Sequence, residues 1–247
     1  MMNTLRLLLI TLFLMSCTNS SEKAIELTEE EEIIQQLQSE GFDTKTIVFH
    51  NDCVIVEDDI VFERSDVLAP IDTRSKGYKY SRLVSSSKVG KIKIRLKGLS
   101  SAWESAFRNA ISEWNSVSSC NIKFTEVSSS LHTNLCTVKM ESMSSSTTFA
   151  TGNYPRSTGK IGRYVKVNSN YSSGGYTIET LPSSLKKKIA MHELGHTLGF
   201  RHPGDGTHVS GTESEVSNPG YNTIMRQGWI LRSTLYSDDE ETARTLY

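Results

Sequence analysis

The spacing of apolar residues predicts alternating strands and helices over the second half of the chain. Residues 91–96 alternate between charged and apolar side chains, which is the pattern of a strand with one buried face. Ser100 or Ser101 then begins a helix whose apolar side chains recur at helical spacing. These side chains are Trp103, Phe107, Ala110, Ile111 and Trp114. Further strands are predicted at 122–124, 137–140 and 164–167.

A second long helix is predicted to begin at Pro182, because proline fits the first turn of a helix. Gly199 is expected to end this helix, since glycine takes a positive φ at little steric cost. Its apolar side consists of Leu185, Ile189 and Leu198. Beyond Gly199 the pattern predicts loop, until Ser237 begins a last short helix that runs to 246–247.

The first third of the chain carries a weaker pattern. Residues 29–38 predict an amphipathic helix with an acidic first turn, which Gly41 ends. Short apolar stretches at 46–49, 53–56 and 60–62 predict strands. A polar stretch rich in serine and lysine follows and predicts a linker. The chain therefore divides into a leader, a small N-terminal block, a linker and a main domain, at 1–17, 18–68, 69–88 and 89–247.

These elements predict an α/β (α+β) fold in which a twisted mixed sheet lies over a long helix. A chain of 247 residues is long enough to bury one substantial core. Its 37% hydrophobic and 22% charged residues are typical of a soluble globular protein. The net charge is −1, so the chain has no excess of positive charge of the kind that nucleic-acid binding proteins carry, and no nucleic-acid partner is expected.

The leader carries one positive charge at Arg6, then an apolar run over 7–15. This run is too short to cross a bilayer, which takes about 20 residues, and it is typical of a secretory signal peptide. Residues 14–17 resemble a bacterial lipobox, in which Cys17 is lipidated and becomes the mature N-terminus. The alternative is an ordinary signal peptide that contains a cysteine. We expect an exported protein of the bacterial cell envelope, anchored to a membrane through Cys17 or secreted.

The other cysteines are Cys53, Cys120 and Cys136. An oxidising compartment permits a disulfide between Cys120 and Cys136, which both fall in the main domain. Two buried thiols are the equally open alternative. Cys53 has no partner in either case.

A metal-binding motif lies on the second long helix. His192 and His196 are four residues apart, so both imidazoles face one ion. Gly199 turns the chain back, which lets His202 supply a third ligand. Three protein nitrogens that leave one open position are typical of a catalytic zinc ion, with Glu193 beside that position. A purely structural zinc ion conflicts with three ligands.

The motif resembles the metzincin signature H-E-x-x-H-x-x-G-x-x-H, which a Met-turn follows. Within the metzincins, the chain over 91–247 is most similar to the bacterial dual-action HEIGH metallopeptidases, including the Gly211-Thr212 loop. The resemblance implies a metzincin-like fold with a C-terminal subdomain, and Glu193 as the general base of peptide hydrolysis. It makes Met225 the Met-turn residue, which packs beneath the ligands; an ordinary core methionine is the alternative. It also implies a peptide substrate that pairs with an edge strand beside the cleft. Residues 148–161 could form this strand, and a plain surface loop is the equally open alternative for them.

The chain departs from this pattern at one position. Some metzincins carry a tyrosine two residues after the turn methionine, where it stabilises the oxyanion, whereas this chain has Gln227 there. Tyr221 is nearby but does not match. Pro203, after the third ligand, does not decide between subfamilies.

Two features of the N-terminal block suggest latency. Many secreted peptidases are held inactive by a pro-segment that places a cysteine or an aspartate on the zinc, and the candidates here are Cys53 and the Asp58-Asp59 pair. A buried cysteine and an ordinary turn are the favoured interpretations of those residues. Histidines without partner spacing are predicted to be exposed. They are His50, His132 and His208.

The sequence therefore predicts an exported zinc endopeptidase, monomeric and acting on proteins or peptides, with one catalytic Zn²⁺ ion. The alternative is a surface lipoprotein that binds zinc without proteolysis, as an interaction module. Glu193 favours the enzyme, because a binding module has no use for a base at the open zinc position.

Overall fold

The computed structural model describes residues 27–70, 82–202, 223–226 and 234–247. The helices are α1 (Glu29–Ser39), α2 (Arg64–Val67), α3 (Ser86–Val89), α4 (Ser101–Ser116), α5 (Ser183–Leu198) and α6 (Ser237–Leu246). The strands are β1 (Val48–Phe49), β2 (Cys53–Val56), β3 (Ile60–Glu63), β4 (Ile92–Lys97), β5 (Phe124–Glu126), β6 (Leu135–Glu141), β7 (Ala150–Asn153), β8 (Tyr164–Asn168), β9 (Ser172–Ser173) and β10 (Tyr176–Thr177).

One mixed sheet of eight strands has the order β1-β2-β3-β7-β8-β6-β4-β5. Strands β5, β4, β6 and β8 are all parallel, whereas β7 runs antiparallel to β8. Strand β3 of the N-terminal block then pairs with β7 in parallel. The predicted α/β (α+β) fold with a mixed sheet is confirmed, and the block contributes three strands to that sheet.

Helices α4 and α5 cover the parallel part of the sheet. Trp103, Phe107 and Trp114 of α4 are fully buried, as their helical spacing predicts. Trp114 Nε1 donates a hydrogen bond to the carbonyl of Met191 at 3.1 Å, which joins the two helices. Because an indole N–H rarely remains unpaired when buried, this contact fixes α4 against the middle of α5.

Helix α5 has the predicted ends. Pro182 is its N-cap, and Gly199 is its C-cap in the left-handed conformation with a φ of 109°. Its burial differs from the prediction, since almost every residue after Ser184 is buried, including Lys186 and Lys188. Because α5 is covered on all sides, the spacing of its apolar residues does not predict which of its side chains are buried.

The structure also bears on the predicted linker and on the cysteines. The second half of the predicted linker is packed: Arg82 and Val84 are buried, and α3 begins at Ser86. The thiols of Cys53, Cys120 and Cys136 are all free, so no Cys120–Cys136 disulfide forms. The pKa of Cys136 is raised to about 12 by complete burial, which makes it an inert thiol.

The predicted leader at 1–17, including Cys17, lies outside the described residues. Within the described ranges, no helix has both the length and the apolar character needed to cross a bilayer.

Candidate metal centre

The three predicted histidine ligands meet at one point. His192 and His196 lie one turn apart on α5, and their Nε2 atoms are 3.0 Å apart. His202 follows the left-handed turn at Gly199 and brings its Nε2 to 3.2 Å from that of His192. The helix and the glycine break therefore place three ring nitrogens around one small volume, as a single metal ion requires.

Hydrogen bonds on the far side of two rings fix their tautomers. His192 Nδ1 donates to the carbonyl of Ile224 at 2.7 Å, and His196 Nδ1 donates to that of Phe200 at 2.9 Å. Since a carbonyl oxygen only accepts, each Nδ1 carries the proton and each Nε2 keeps its lone pair for a metal. Burial, together with the charges of Lys188 and His196, lowers the pKa of His192 to about 3 and keeps it neutral.

Asp59 of the N-terminal block is the fourth member of the group. Its carboxylate oxygens lie 3.3 Å from His192 Nε2, 3.4 Å from His196 Nε2 and 3.1 Å from His202 Nε2. The four candidate ligand atoms all lie within 4.8 Å of one another.

This chemistry fits zinc. Three imidazole nitrogens and one carboxylate form a tetrahedral donor set that zinc commonly takes. Asp59 Oδ1 and Glu193 Oε2 are buried without a well-aligned hydrogen-bond partner, which is costly unless a cation or a bound water completes the site.

Glu193 is almost fully buried between α5 and β7. Gly152 of β7 makes the approach possible, because a Cβ at that position would lie 2.8 Å from the Glu193 carbonyl and 3.1 Å from its Oε2. Burial, together with the negative charge of Asp59, raises the pKa of Glu193 well above its usual value. The ionised form of Glu193 would therefore bind a proton more strongly than an ordinary carboxylate does.

Met225 lies beneath the ligands, where the resemblance places a Met-turn residue. It is 2% exposed, and a Cβ on Gly195 would come within 2.6 Å of its Sδ atom. The glycine between the first two histidine ligands thus leaves room for this methionine.

Asp239 of α6, whose role the sequence did not reveal, holds the Met-turn in place. Its Oδ2 accepts from the backbone N–H groups of Ile224 and Tyr236, both at 3.0 Å, and its Oδ1 accepts from the Thr223 hydroxyl. Lys188 adds a bond from its Nζ to the Arg226 carbonyl at 2.7 Å. Burial lowers the pKa of Lys188 to about 8.

The remaining candidates divide into two groups. His50 and His132 are exposed, as predicted. Cys53 lies on β2 away from the histidine ligands and Asp59, although it lines the same cleft. Several predicted positions lie outside the described residues. They are Pro203, His208, Gly211, Thr212, Tyr221 and Gln227.

A family model described as dual-action HEIGH metallo-peptidase matches residues 54–215, more than half of the chain. The chain belongs to this family. It is therefore a zinc metallopeptidase, and the histidine–aspartate group is the site that can hold its ion. The family match begins in β2 and so includes Asp59 as well as the three histidines.

Two solved structures described as myroilysin are among the proteins to which the chain is similar. One is 15% identical to this HEIGH metallopeptidase and covers 63% of this chain and 79% of that chain, with a TM-score of 0.42. The other is 14% identical, covers 63% and 82%, and has the same TM-score of 0.42. No curated protein matches the chain.

Proposed function

We propose that this protein is an exported zinc endopeptidase, anchored to a membrane of the cell envelope by a lipid on Cys17. The observation that carries the catalytic part is the meeting of three histidine Nε2 atoms beside the buried carboxyl of Glu193. A metal centre that only supports the fold has no use for a buried, unpartnered carboxyl group next to its ligands.

Bound zinc supplies Lewis-acid chemistry, since it acidifies water and polarises a carbonyl group. Glu193 accepts the proton of the attacking water and then donates it to the nitrogen of the leaving amine. The carboxyl gains a proton in the first step and releases it in the second, so Glu193 is unchanged after one turnover.

Strand β7 is the proposed docking edge for the substrate backbone. It is antiparallel to β8 on one side, and Gly152 brings it directly against Glu193. An extended peptide that took the place of β3 on the other side of β7 would place a backbone carbonyl near the histidines. Backbone pairing of this kind favours unfolded or loosely folded protein substrates.

Export and anchoring rest on the sequence of the leader. An apolar run over 7–15 that ends at Ser16-Cys17 is the pattern that lipidation of a cysteine requires. Cells that express the full chain should retain it in the membrane fraction, whereas Cys17→Ser should release it or leave it with an uncleaved leader. Equal membrane retention of both proteins would contradict the anchor.

The endopeptidase activity is tested with the chain from Ser21 onward, which contains every described residue. Chelator-sensitive cleavage of unfolded casein is expected, and Glu193→Gln should lower kcat about 10²-fold or more while zinc remains bound, because general-base catalysis contributes about that factor. Equal cleavage by the Gln variant would remove Glu193 from the mechanism. Zinc binding with no cleavage by any variant would favour the non-proteolytic surface lipoprotein.

A further inference from the structure

We infer that the N-terminal block is an internal inhibitor, in which Asp59 closes the zinc site while β3 covers the substrate edge of β7. This inference concerns the regulation of the active site and rests on the proposed endopeptidase function. The chain is then made as a precursor of low activity, because the site is open only in the small fraction of molecules whose block has left the cleft.

The turn between β2 and β3 aims Asp59 at the histidines. Glu57 and Asp58 both have positive φ values, 52° and 72°, so the chain reverses within three residues. Non-glycine residues adopt this conformation at some cost in free energy, and such turns persist where surrounding contacts hold them. The reversal brings Asp59 to all three ligands, and its carboxylate then takes the position that a catalytic zinc ion keeps for water.

Backbone pairing covers the edge at the same time. The N–H of Gly152 donates to the Asp59 carbonyl at 3.0 Å, and the N–H of Tyr154 donates to the Val61 carbonyl at 2.7 Å. A substrate strand on β7 would need these N–H groups. The block therefore competes with substrate for the backbone edge as well as for the metal.

Glu57 extends the contact to the outer face of the third ligand. Its Oε2 lies 3.2 Å from His202 Nδ1, and its Oε1 lies 3.5 Å from the guanidinium of Arg201. Arg201 also donates to the Glu40 carbonyl at 3.1 Å and lies 3.8 Å above the ring of Phe42. Two consecutive residues of the ligand loop are thus held by the block.

A buried ion pair also holds the block against the segment that follows it. Arg82 Nη2 lies 2.8 Å from Glu40 Oε1, and the two side chains are only 1% and 3% exposed. Arg82 Nη2 also donates to the Val67 carbonyl at 2.9 Å. Because these contacts are ionic or involve hydrogen bonds, water can replace them when the block leaves, whereas an exposed apolar interface would aggregate.

The block also has an apolar core of its own, separate from the main core. Its buried members are Ile33, Leu37, Phe42, Val54, Val56, Ile60, Phe62 and Val67, with Tyr154 from the main domain. An element with its own core can move or be removed while the main core stays intact.

The test compares Asp59→Asn with Asp58→Asn in the zinc-loaded chain from Ser21 onward. Asp58 is the matched control, because it is exposed on the same turn and asparagine tolerates its positive φ. The probe is acetohydroxamate, a small zinc-binding anion, titrated by calorimetry. A cleft of about 900 Å³ that reaches His192 and Glu193 gives it access while the block is in place. Zinc content and the unfolding temperature are measured alongside.

Asp59→Asn should bind acetohydroxamate at least about tenfold more tightly than the native chain and Asp58→Asn, because the native site is open in only a small fraction of molecules. Its cleavage of casein should rise in the same direction. Equal acetohydroxamate affinity in all three proteins would overturn the inference, and so would loss of zinc from Asp59→Asn alone, which would make Asp59 a structural ligand.

The two proposals fail in different ways. Tighter acetohydroxamate binding without casein cleavage would keep the inhibitory contact and contradict the endopeptidase. Chelator-sensitive cleavage by the native chain at the rate of Asp59→Asn would keep the endopeptidase and contradict latency.

Discussion

The interior of the main domain and its junction with the N-terminal block are held by different forces. Helices α4 and α5 meet the sheet through fully buried apolar side chains, of which Trp103, Trp114 and Phe107 are the largest. The junction has one aromatic contact, of Tyr154 with Phe42 and Phe62, and depends otherwise on polar groups. These are Asp59, Glu57, the buried Arg82–Glu40 pair and the β3–β7 backbone bonds. Apolar side chains that leave a core gain no equivalent contacts from water. The polar groups of the junction can instead form hydrogen bonds to metal-bound water, substrate or solvent. The difference teaches that the packing of the main domain persists, whereas the contact between the block and the main domain can be broken.

The largest expected effect comes from breaking the junction at Arg82. Arg82→Met removes the cation that faces a buried carboxylate, so we expect a loss of about 3–5 kcal/mol in the free energy of unfolding of the block. Hydrogen exchange should rise first in β2 and β3, while the fluorescence of the tryptophans, which all lie outside the block, stays native.

Two controls accompany this variant. Replacing Glu40 by Met in the Arg82→Met background should recover much of the loss, since no buried charge then remains. Arg64→Met removes pairs with the exposed Glu29 and Glu30 and a bond to the His50 carbonyl, and it should cost less than Arg82→Met because it leaves no carboxylate buried. Uniform loss of protection across both regions would show that they unfold as one unit.

A smaller effect is expected within the main domain at Asp239. Asp239→Ala leaves the N–H groups of Ile224 and Tyr236 without their acceptor, which costs about 1.5–3 kcal/mol for bonds to a charged group. Urea unfolding measures the loss, and exposed Asp238→Ala is the control. Because Ile224 accepts from His192, weaker zinc binding should accompany the loss in stability. Unchanged zinc affinity would separate the Met-turn from the metal site.

The smallest effect is expected at Gly195. Gly195→Ala gains up to about 1 kcal/mol of helix propensity but loses about 1–3 kcal/mol to overpacking against Met225. The net change should be a modest destabilisation, and Met225→Ala in the same chain should relieve it in a double-mutant cycle. Additive effects of the two changes would mean that the residues do not meet.

The sequence predicted those elements whose signals are local. Pro182 and Gly199 bound α5, and the spacing of His192, His196 and His202 depends on one helix and one turn. Asp59 has no such signal, because its contact with the histidines arises only when β3 pairs with β7 across a long stretch of chain. Local pattern favoured an ordinary turn there, and tertiary pairing decided otherwise.

Burial of charged side chains was missed for the same reason. Lysine side chains are usually exposed, yet the ammonium groups of Lys186 and Lys188 reach the carbonyls of Glu179 and Arg226. The Asp239 contacts with the Met-turn were equally invisible, since α6 and Thr223 meet only in the folded chain. Long-range hydrogen bonds between polar residues leave no periodicity in a sequence.

The contact between Gly195 and Met225 limits which residues related proteins can carry at these two positions. The family description spells its motif with a glycine before the second histidine, and this chain keeps that glycine in its own version, His-Glu-Leu-Gly-His. A side chain there would occupy the volume that the methionine sulfur takes. Relatives in which one of these two residues has changed should therefore also have changed the other, although the two positions lie 30 apart in the sequence.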